Sequence, residues 1–262
     1  MKIAITGLVR GYPQWQGYNA LIFRNHLIYN VIYKNNESKF DAIIFHEGNI
    51  SPIHQRYIQS RTPNLPLQFI NVSAEFDSKL IKTTSRFCSE SAEKFHTGYN
   101  HMCRFWIYAF LKYVTNYETI IRIDEDCFIK EFPLDICTEM LSKNIYFISA
   151  RFEGEDSPMF TEGIKEMTEE FIKNNNLECV PCYSYNPYTN IFIINTSSIK
   201  NLDLHKKWCD MIEDAGGIYV NRWGDLPLWG ITLSLFFEKN NIYHDTRIKY
   251  YHGTHSSHVN ND

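Results

Sequence analysis

The chain has 262 residues, of which 44% are hydrophobic, 15% aromatic and 21% charged. That is a globular composition, long enough to bury a core as one domain, and it excludes disordered, collagen-like and coiled-coil chains. A net charge of -4, from 26 basic and 30 acidic residues, leaves no basic surplus for a nucleic-acid backbone, so nucleic acid is not an expected partner.

The first predicted strand, Lys2 to Thr6, ends in a loop carrying Gly7, Arg10 and Gly11. Its apolar run is too short for a signal peptide, and no stretch of the chain is long enough for a membrane span. Seven scattered cysteines without such a signal fit reduced thiols, so a cytoplasmic location is expected. Helical spacing runs from Tyr18 to Tyr33. A strand at Asp41 to Phe45 leads into His46, Glu47 and Gly48; a helix from Pro52 to Gln59 and a strand from Leu67 to Val72 follow. Residues 73–98 read as an irregular excursion with some helix.

The second half opens with a helix from Tyr99 to Val114 and a strand from Glu118 to Ile123 that runs into Asp124-Glu125-Asp126. Strands are predicted at Asn144 to Ala150, Thr189 to Ile194 and Asn241 to Tyr251, and helices at Ile164 to Asn174, Ser198 to Asp214 and Leu226 to Phe237. Gly216-Gly217 breaks the chain between the last two helices. Alternating strands and helices predict an α/β fold, a mostly parallel sheet flanked by helices. Ligands of such sheets bind beyond the carboxyl ends of the strands.

Three acids at a strand end could hold a hard divalent cation. Alternate residues of an extended chain share a face, which would put Asp124 and Asp126 together; the bland alternative is a solvated acidic turn. The tail holds His252, His255 and His258, and neutral imidazole suits transition metals. His252 stands apart because it ends an apolar strand, whereas the other two fit a polar tail. Asp225 reads either as a helix N-cap or as a carboxylate for a sugar hydroxyl, with Arg222 and Trp223 beside it. Tyr99 and Arg104 lie at a helix start, where anions are attracted, while Met102, Phe105 and Trp106 read as core. Cys179 and Cys182 form a lone C-x-x-C, weak support for structural zinc.

Taken together, these segments resemble the fungal mannosyltransferases of glycosyltransferase family 15. Tyr99-Asn-His101-Met-Cys-Arg104-Phe105, then Arg122-Ile-Asp124-Glu-Asp126-Cys, then Gly216-Gly-Ile-Tyr-Val-Asn-Arg222-Trp223-Gly224-Asp225-Leu-Pro227, then Lys249-Tyr-Tyr-His252 follow the family's segments in order. The resemblance implies a GT-A-type fold with a smaller antiparallel portion on the acceptor side. It also implies retention, a nucleotide-sugar donor, and Mn²⁺ (or Mg²⁺) held by Asp124, Asp126 and His252. One departure stands out: the family's Trp-Ser-Asn-Phe-Glu-Ile run corresponds to Tyr188-Thr-Asn190-Ile-Phe192-Ile, which sets Phe192 where the family has Glu.

The resulting expectation is a single glycosyltransferase domain over 1–262, with a nucleotide-binding half to 126 and an acceptor and metal-completing half from 127. The donor would be a GDP- or UDP-sugar, with GDP-mannose the one the resemblance names, and the acceptor a glycan or other hydroxyl. Expected donor contacts are Gly7, Arg10, Glu47, Tyr99, Arg104, Asp124 and Trp223; expected catalytic residues are Asp225 and Asn190. The alternatives are a catalytically weak nucleotide- or carbohydrate-binding protein on the same fold, or a zinc-dependent hydrolase.

Overall fold

The computed structural model describes residues 2–34, 39–89, 97–154, 156–200 and 203–253. In chain order the strands are β1 (Ile3–Val9), β2 (Phe40–His46), β3 (Leu67–Asn71), β4 (Thr119–Ile123), β5 (Cys127–Glu131), β6 (Phe147–Ser149), β7 (Phe152–Glu153), β8 (Asn186–Pro187), β9 (Ile191–Asn195), β10 (Ile242–His244) and β11 (Lys249–His252). The helices are α1 (Asn19–Ile28), α2 (Pro52–Arg61), α3 (Thr97–Ile107), α4 (Ile136–Ser142), α5 (Pro158–Thr161), α6 (Ile164–Asn174), α7 (Ser197–Lys200), α8 (Asp203–Ala215), α9 (Gly217–Val220) and α10 (Asp225–Phe236).

Seven strands form the central sheet in the order β10-β6-β9-β4-β1-β2-β3. Every pairing is parallel except those of β9, which runs antiparallel to both β4 and β6. The strands read as near-continuous apolar runs because both faces are covered. Ile3, Ile5, Ile121, Ile123, Ile191 and Ile193 face one buried cluster. Ala4, Ile120, Phe192 and Ile194 face the other, which holds Trp106, Trp208 and Trp229. Two antiparallel ribbons, β5 with β11 and β7 with β8, lie apart from the main sheet.

Several expected elements change shape. The helix predicted from Tyr18 continues past α1 as a π-helical segment over Tyr29–Tyr33, closed by Lys34 N donating to Tyr29 O at 2.9 Å. The helix predicted from Tyr99 stops at Ile107 and resumes as a 3-10 turn over Ala109–Tyr113. Tyr108 leaves helical geometry there, and its hydroxyl donates to Glu213. The closing strand splits in two, since Asp245 and Arg247 make a turn between β10 and β11: Ile248 N donates to Asp245 O and the Arg247 guanidinium folds back on the Asp245 carboxylate. The first piece joins the main sheet and the second joins the ribbon. The sequence pattern predicts neither the strand β5 nor the helix α4.

Candidate active site

Arg122, on β4, and Asp124 just beyond it are two residues apart and share the face that carries Phe192 across on β9. Arg122 is 2% exposed. Its Nε donates to Asp124 Oδ1 at 2.9 Å and its Nη2 to Asp124 Oδ2 at 3.2 Å, while Nη1 donates to Asp225 Oδ2 at 2.6 Å. Burial would lower the basicity of this guanidinium, but the two carboxylates outweigh it and raise it further. The ring of Trp106 lies 4.4 Å from its centre and that of Phe192 5.7 Å, which places a cation over aromatic faces.

The expected alternation of Asp124 and Asp126 fails. The chain turns immediately after Asp124, with Cys127 N donating to Asp124 O at 3.1 Å. Asp124 points to Arg122, and Asp126 points instead to His252. The β5–β11 register sets Cys127 opposite His252 and Gly253 N donates to Asp126 O at 2.9 Å; His252 Nε2 then lies 3.3 Å from Asp126 Oδ1. The other ring nitrogen, Nδ1, is 3.3 Å from the Tyr188 hydroxyl. Ligand atoms of Asp126, Cys127 and His252 fall within 4.8 Å of one another. Cys127 is fully buried, and burial first, then the nearby carboxylates, push its thiol pKa well up. With Cys127 buried beneath them, the two donors that reach the surface are one carboxylate and one imidazole, a set that fits a divalent cation whose remaining positions take oxygen ligands. Tyr188 can orient the imidazole from behind. His255 and His258 lie outside the described residues.

Asn190 closes the near side. It is 5% exposed, its backbone O accepts from Asp124 N at 3.0 Å, and its Oδ1 accepts from the Tyr250 hydroxyl at 3.0 Å. Its Nδ2 has no partner among the described residues and is an unspent buried donor beside the acidic turn. Beyond the ends of β1 and β2, Arg10 is exposed with its guanidinium 5.1 Å from the Tyr12 ring. The Tyr12 hydroxyl donates to Glu125 Oε1 at 2.6 Å; burial first, then this carboxylate, push the phenol up to about 12. Glu47 accepts from Asn49 at 3.4 Å, and burial raises its pKa.

Three expected contacts are corrected. Gly7 lies within β1 rather than in a loop, and a Cβ there would sit 2.8 Å from Arg24 Nη2. Arg24 is buried and donates to Thr6 O and Ile123 O, so Gly7 makes room for the guanidinium that braces the acidic turn from beneath. Arg104 does not face a phosphate: it is buried in ion pairs with Glu75 at 2.9 Å and Glu213 at 2.8 Å. Trp223 is fully buried, its Nε1 donating to Glu162 O, and it packs so tightly under Gly217 that a Cβ there would overlap the indole. Tyr99 remains partly exposed at the start of α3, with the Arg222 guanidinium 4.7 Å from its ring. Sequence alone assigns no role to Tyr12, Arg24, Tyr188 or Tyr250, although Tyr188 and Asn190 lie two apart before β9, a spacing that puts alternate residues on one face.

Among the described residues, no helix is long and apolar enough to cross a membrane. Residues 68–262 match the family model described as glycolipid 2-alpha-mannosyltransferase. A curated relative from Candida albicans, named probable mannosyltransferase MNT3, is 28% identical over 167 residues, covering 59% of this chain and 44% of its own. The O-glycoside alpha-1,2-mannosyltransferase homolog 2 of Schizosaccharomyces pombe is 26% identical over 171 residues, covering 59% and 46%. The chain thus spans about half the length of the curated relatives it matches. Among solved structures, the Saccharomyces cerevisiae mannosyltransferase Ktr4p in complex with GDP superposes with a TM-score of 0.75 at 18% identity, covering 96% of this chain and 71% of that one. The Mn/GDP form of core-mannan synthase A from Aspergillus fumigatus gives 0.78 at 16% identity, covering 97% and 75%. These likenesses establish the fold, a GT-A-type α/β architecture with a mostly parallel sheet.

Proposed function

The chain belongs to the glycolipid 2-alpha-mannosyltransferase family, and from that premise we propose that it moves a mannosyl group from GDP-mannose to a hydroxyl of a glycan acceptor. GDP is preferred over UDP because the solved relatives named above carry GDP. The observation that carries this reading is the Asp126–His252 pair, 3.3 Å apart where two chain segments meet beyond the sheet. These two residues would hold Mn²⁺ or Mg²⁺. Held there, a divalent cation would supply charge neutralisation for the leaving diphosphate.

The chain's own groups divide the remaining work. Arg10 and Glu47, past the ends of β1 and β2, contact the nucleotide, in keeping with a donor half that ends at Asp126. Asp124, fixed by Arg122, and the unspent Nδ2 of Asn190 hold the donor sugar. Asp225, fixed from the other side of Arg122, meets the acceptor together with Tyr99. The acceptor oxygen bonds to the anomeric carbon as the bond to the diphosphate oxygen breaks, and the acceptor proton passes to that departing oxygen. Phe192 is fully buried among Trp106, Phe147 and Trp229, so it offers no carboxylate for a covalent sugar intermediate. Attack then comes on the face the diphosphate leaves, with retention. The seven free cysteines suit a reducing compartment such as the cytoplasm.

The test is release of GDP from GDP-mannose with Mn²⁺ and a mannoside acceptor, with NMR assignment of the new linkage. An α-linked product that disappears with chelator and in Asp126→Ala supports the reading; absence of GDP binding overturns it. Phe192 favours one rival, a nucleotide- or carbohydrate-binding protein of weak activity. Tight Mn²⁺-dependent GDP binding without turnover on any mannoside would select that rival.

A further inference from the structure

Tyr188 lies in the short connection between β8 and β9, its side chain half-buried. Its backbone N–H donates to Arg151 O at 2.9 Å, and that carbonyl also accepts from the Ser149 hydroxyl at 2.7 Å. The guanidinium of the same Arg151 lies 5.5 Å from the Tyr188 ring, a cation against an aromatic face, and its Nε is held by Glu153 Oε1 at 2.5 Å. The phenol is thus fixed at its main chain and along its ring, which gives the hydroxyl a defined place. That place is 3.3 Å from His252 Nδ1, with the two rings edge to face at 6.0 Å and 76°.

The two ring nitrogens of a neutral imidazole are never alike: one carries the hydrogen and the other a lone pair. An ionised carboxylate only accepts, so Asp126 Oδ1, 3.3 Å from Nε2, draws the hydrogen to Nε2. Nδ1 then accepts, and the Tyr188 hydroxyl donates to it. A cation held between Asp126 and His252 needs the lone pair of Nε2, which moves the hydrogen to Nδ1. The group behind the ring must now accept. A backbone carbonyl could meet only the second arrangement and an N–H only the first, whereas a hydroxyl serves either by rotating about its C–O bond. Without it, Nδ1 would go unmet by Tyr188 in both arrangements, and an unmet polar atom at a half-buried site is costly.

We infer that Tyr188 is a positioning residue for the cation and that its hydrogen bond to His252 reverses: the hydroxyl donates to Nδ1 in the metal-free protein and accepts from Nδ1 once a cation takes Nε2. Tyr188 then acts through His252 and never touches the ion. It keeps the ring in one place while the hydrogen changes sides, so that cation entry needs no rotation of the imidazole. This inference rests on the reading above of Asp126 and His252 as the residues that hold the cation.

The test compares Tyr188→Phe with the parent, because phenylalanine removes the oxygen and keeps the ring against Arg151. Paramagnetic titration of Mn²⁺ in the presence of GDP should show an affinity weaker by about tenfold, while GDP affinity without metal stays at the parent value. The second readout needs no variant fold: the ring ¹⁵N shifts of His252 in the parent at about pH 8, where an ordinary imidazole is neutral, assigned by their loss in His252→Ala. The hydrogen should sit on Nε2 in the metal-free protein and on Nδ1 once Zn²⁺, a diamagnetic probe, is added with GDP. A hydrogen that stays on one nitrogen in both states, or a Tyr188→Phe variant that binds Mn²⁺ as tightly as the parent, overturns the role of Tyr188. Failure of the cation reading shows separately, as a His252→Ala variant that keeps the parent's Mn²⁺ affinity.

Discussion

Arg122 Nη1 donates to Asp225 Oδ2 at 2.6 Å, a contact between residues 103 positions apart. Through it one buried guanidinium fixes both the carboxylate at the end of β4 and the carboxylate at the start of α10. Removing one partner of a buried charge group leaves the others uncompensated, which costs about 3–5 kcal/mol. Arg122→Met should therefore lower unfolding stability by about that amount, read from the urea midpoint and slope. Arg122→Lys should recover only part of it, because an ammonium cannot fork between two carboxylates. A methionine variant as stable as the parent would mean that the clamp contributes nothing net.

The cation pair separates from its neighbour by a second substitution. Cys127 sits within ligand distance of Asp126 and His252, but its thiol is fully buried, out of reach of a cation that approaches from the surface. Cys127→Ala should leave Mn²⁺ affinity in the presence of GDP within about threefold of the parent, whereas His252→Ala should weaken it by about 10- to 100-fold. Paramagnetic titration of Mn²⁺ checks both. A loss confined to Cys127→Ala would make the thiolate a ligand.

Much of the site's frame was legible in the sequence, and its side-chain directions were not. An apolar run ending in Asp124-Glu125-Asp126 announces a strand whose carboxyl end bears charge, and His252 ends a run of the same kind. The meeting of Asp126 with His252, however, depends on a turn stabilised by one backbone bond and on a ribbon that pairs Cys127 with His252, 125 positions further on. Composition and spacing carry no record of either. Arg104 and Trp223 illustrate the same limit. Each lies in a segment whose order along the chain marks the family, yet the fold turns both inward, one to Glu75 and Glu213 and the other beneath Gly217. A motif can be diagnostic because its residues build the wall behind a site and not because they touch the ligand.

Gly7 gives a steric prediction. A Cβ on this residue would approach Arg24 Nη2 at 2.8 Å and Ile123 O at 2.9 Å. The first neighbour is the end of a side chain held by two carbonyls, and the second is backbone, so neither yields cheaply. Gly7→Ala should cost about 1–3 kcal/mol by overpacking, and should also weaken donor binding, because Ile123 directly precedes Asp124. Paired denaturation and GDP titration check this. An alanine variant equal to the parent in both would show that Arg24 moves freely.

His205 supplies a pH dependence that lies outside the site. It sits on α8 at 5% exposure, its ring 5.6 Å from that of Phe236 and Nδ1 3.8 Å from Cys209 Sγ. Burial lowers its pKa from 6.5 to about 4, because no carboxylate offsets the cost of charging it there. Above the unfolded value the imidazole is neutral in both states and contributes no pH dependence. As pH falls from about 6.5 towards about 4, the unfolded chain takes up a proton that the native chain refuses, so stability drops with acid. Below about 4 both states are protonated and the term levels off. At pH 4.5 the loss from this one group is about 2–3 kcal/mol. Other groups titrate over the same window, so the measurement is a difference of differences: stability at pH 7 minus stability at pH 4.5, for the parent and for His205→Met, by urea denaturation. Methionine keeps the side chain apolar and of similar bulk, and it cannot bind the proton. The acid-induced drop should be smaller in the variant by about 2–3 kcal/mol. Equal drops would mean that His205 ionises in the native state as readily as in the unfolded chain, through an opening of α8 against α10 that the packing around Trp208 and Phe236 does not provide.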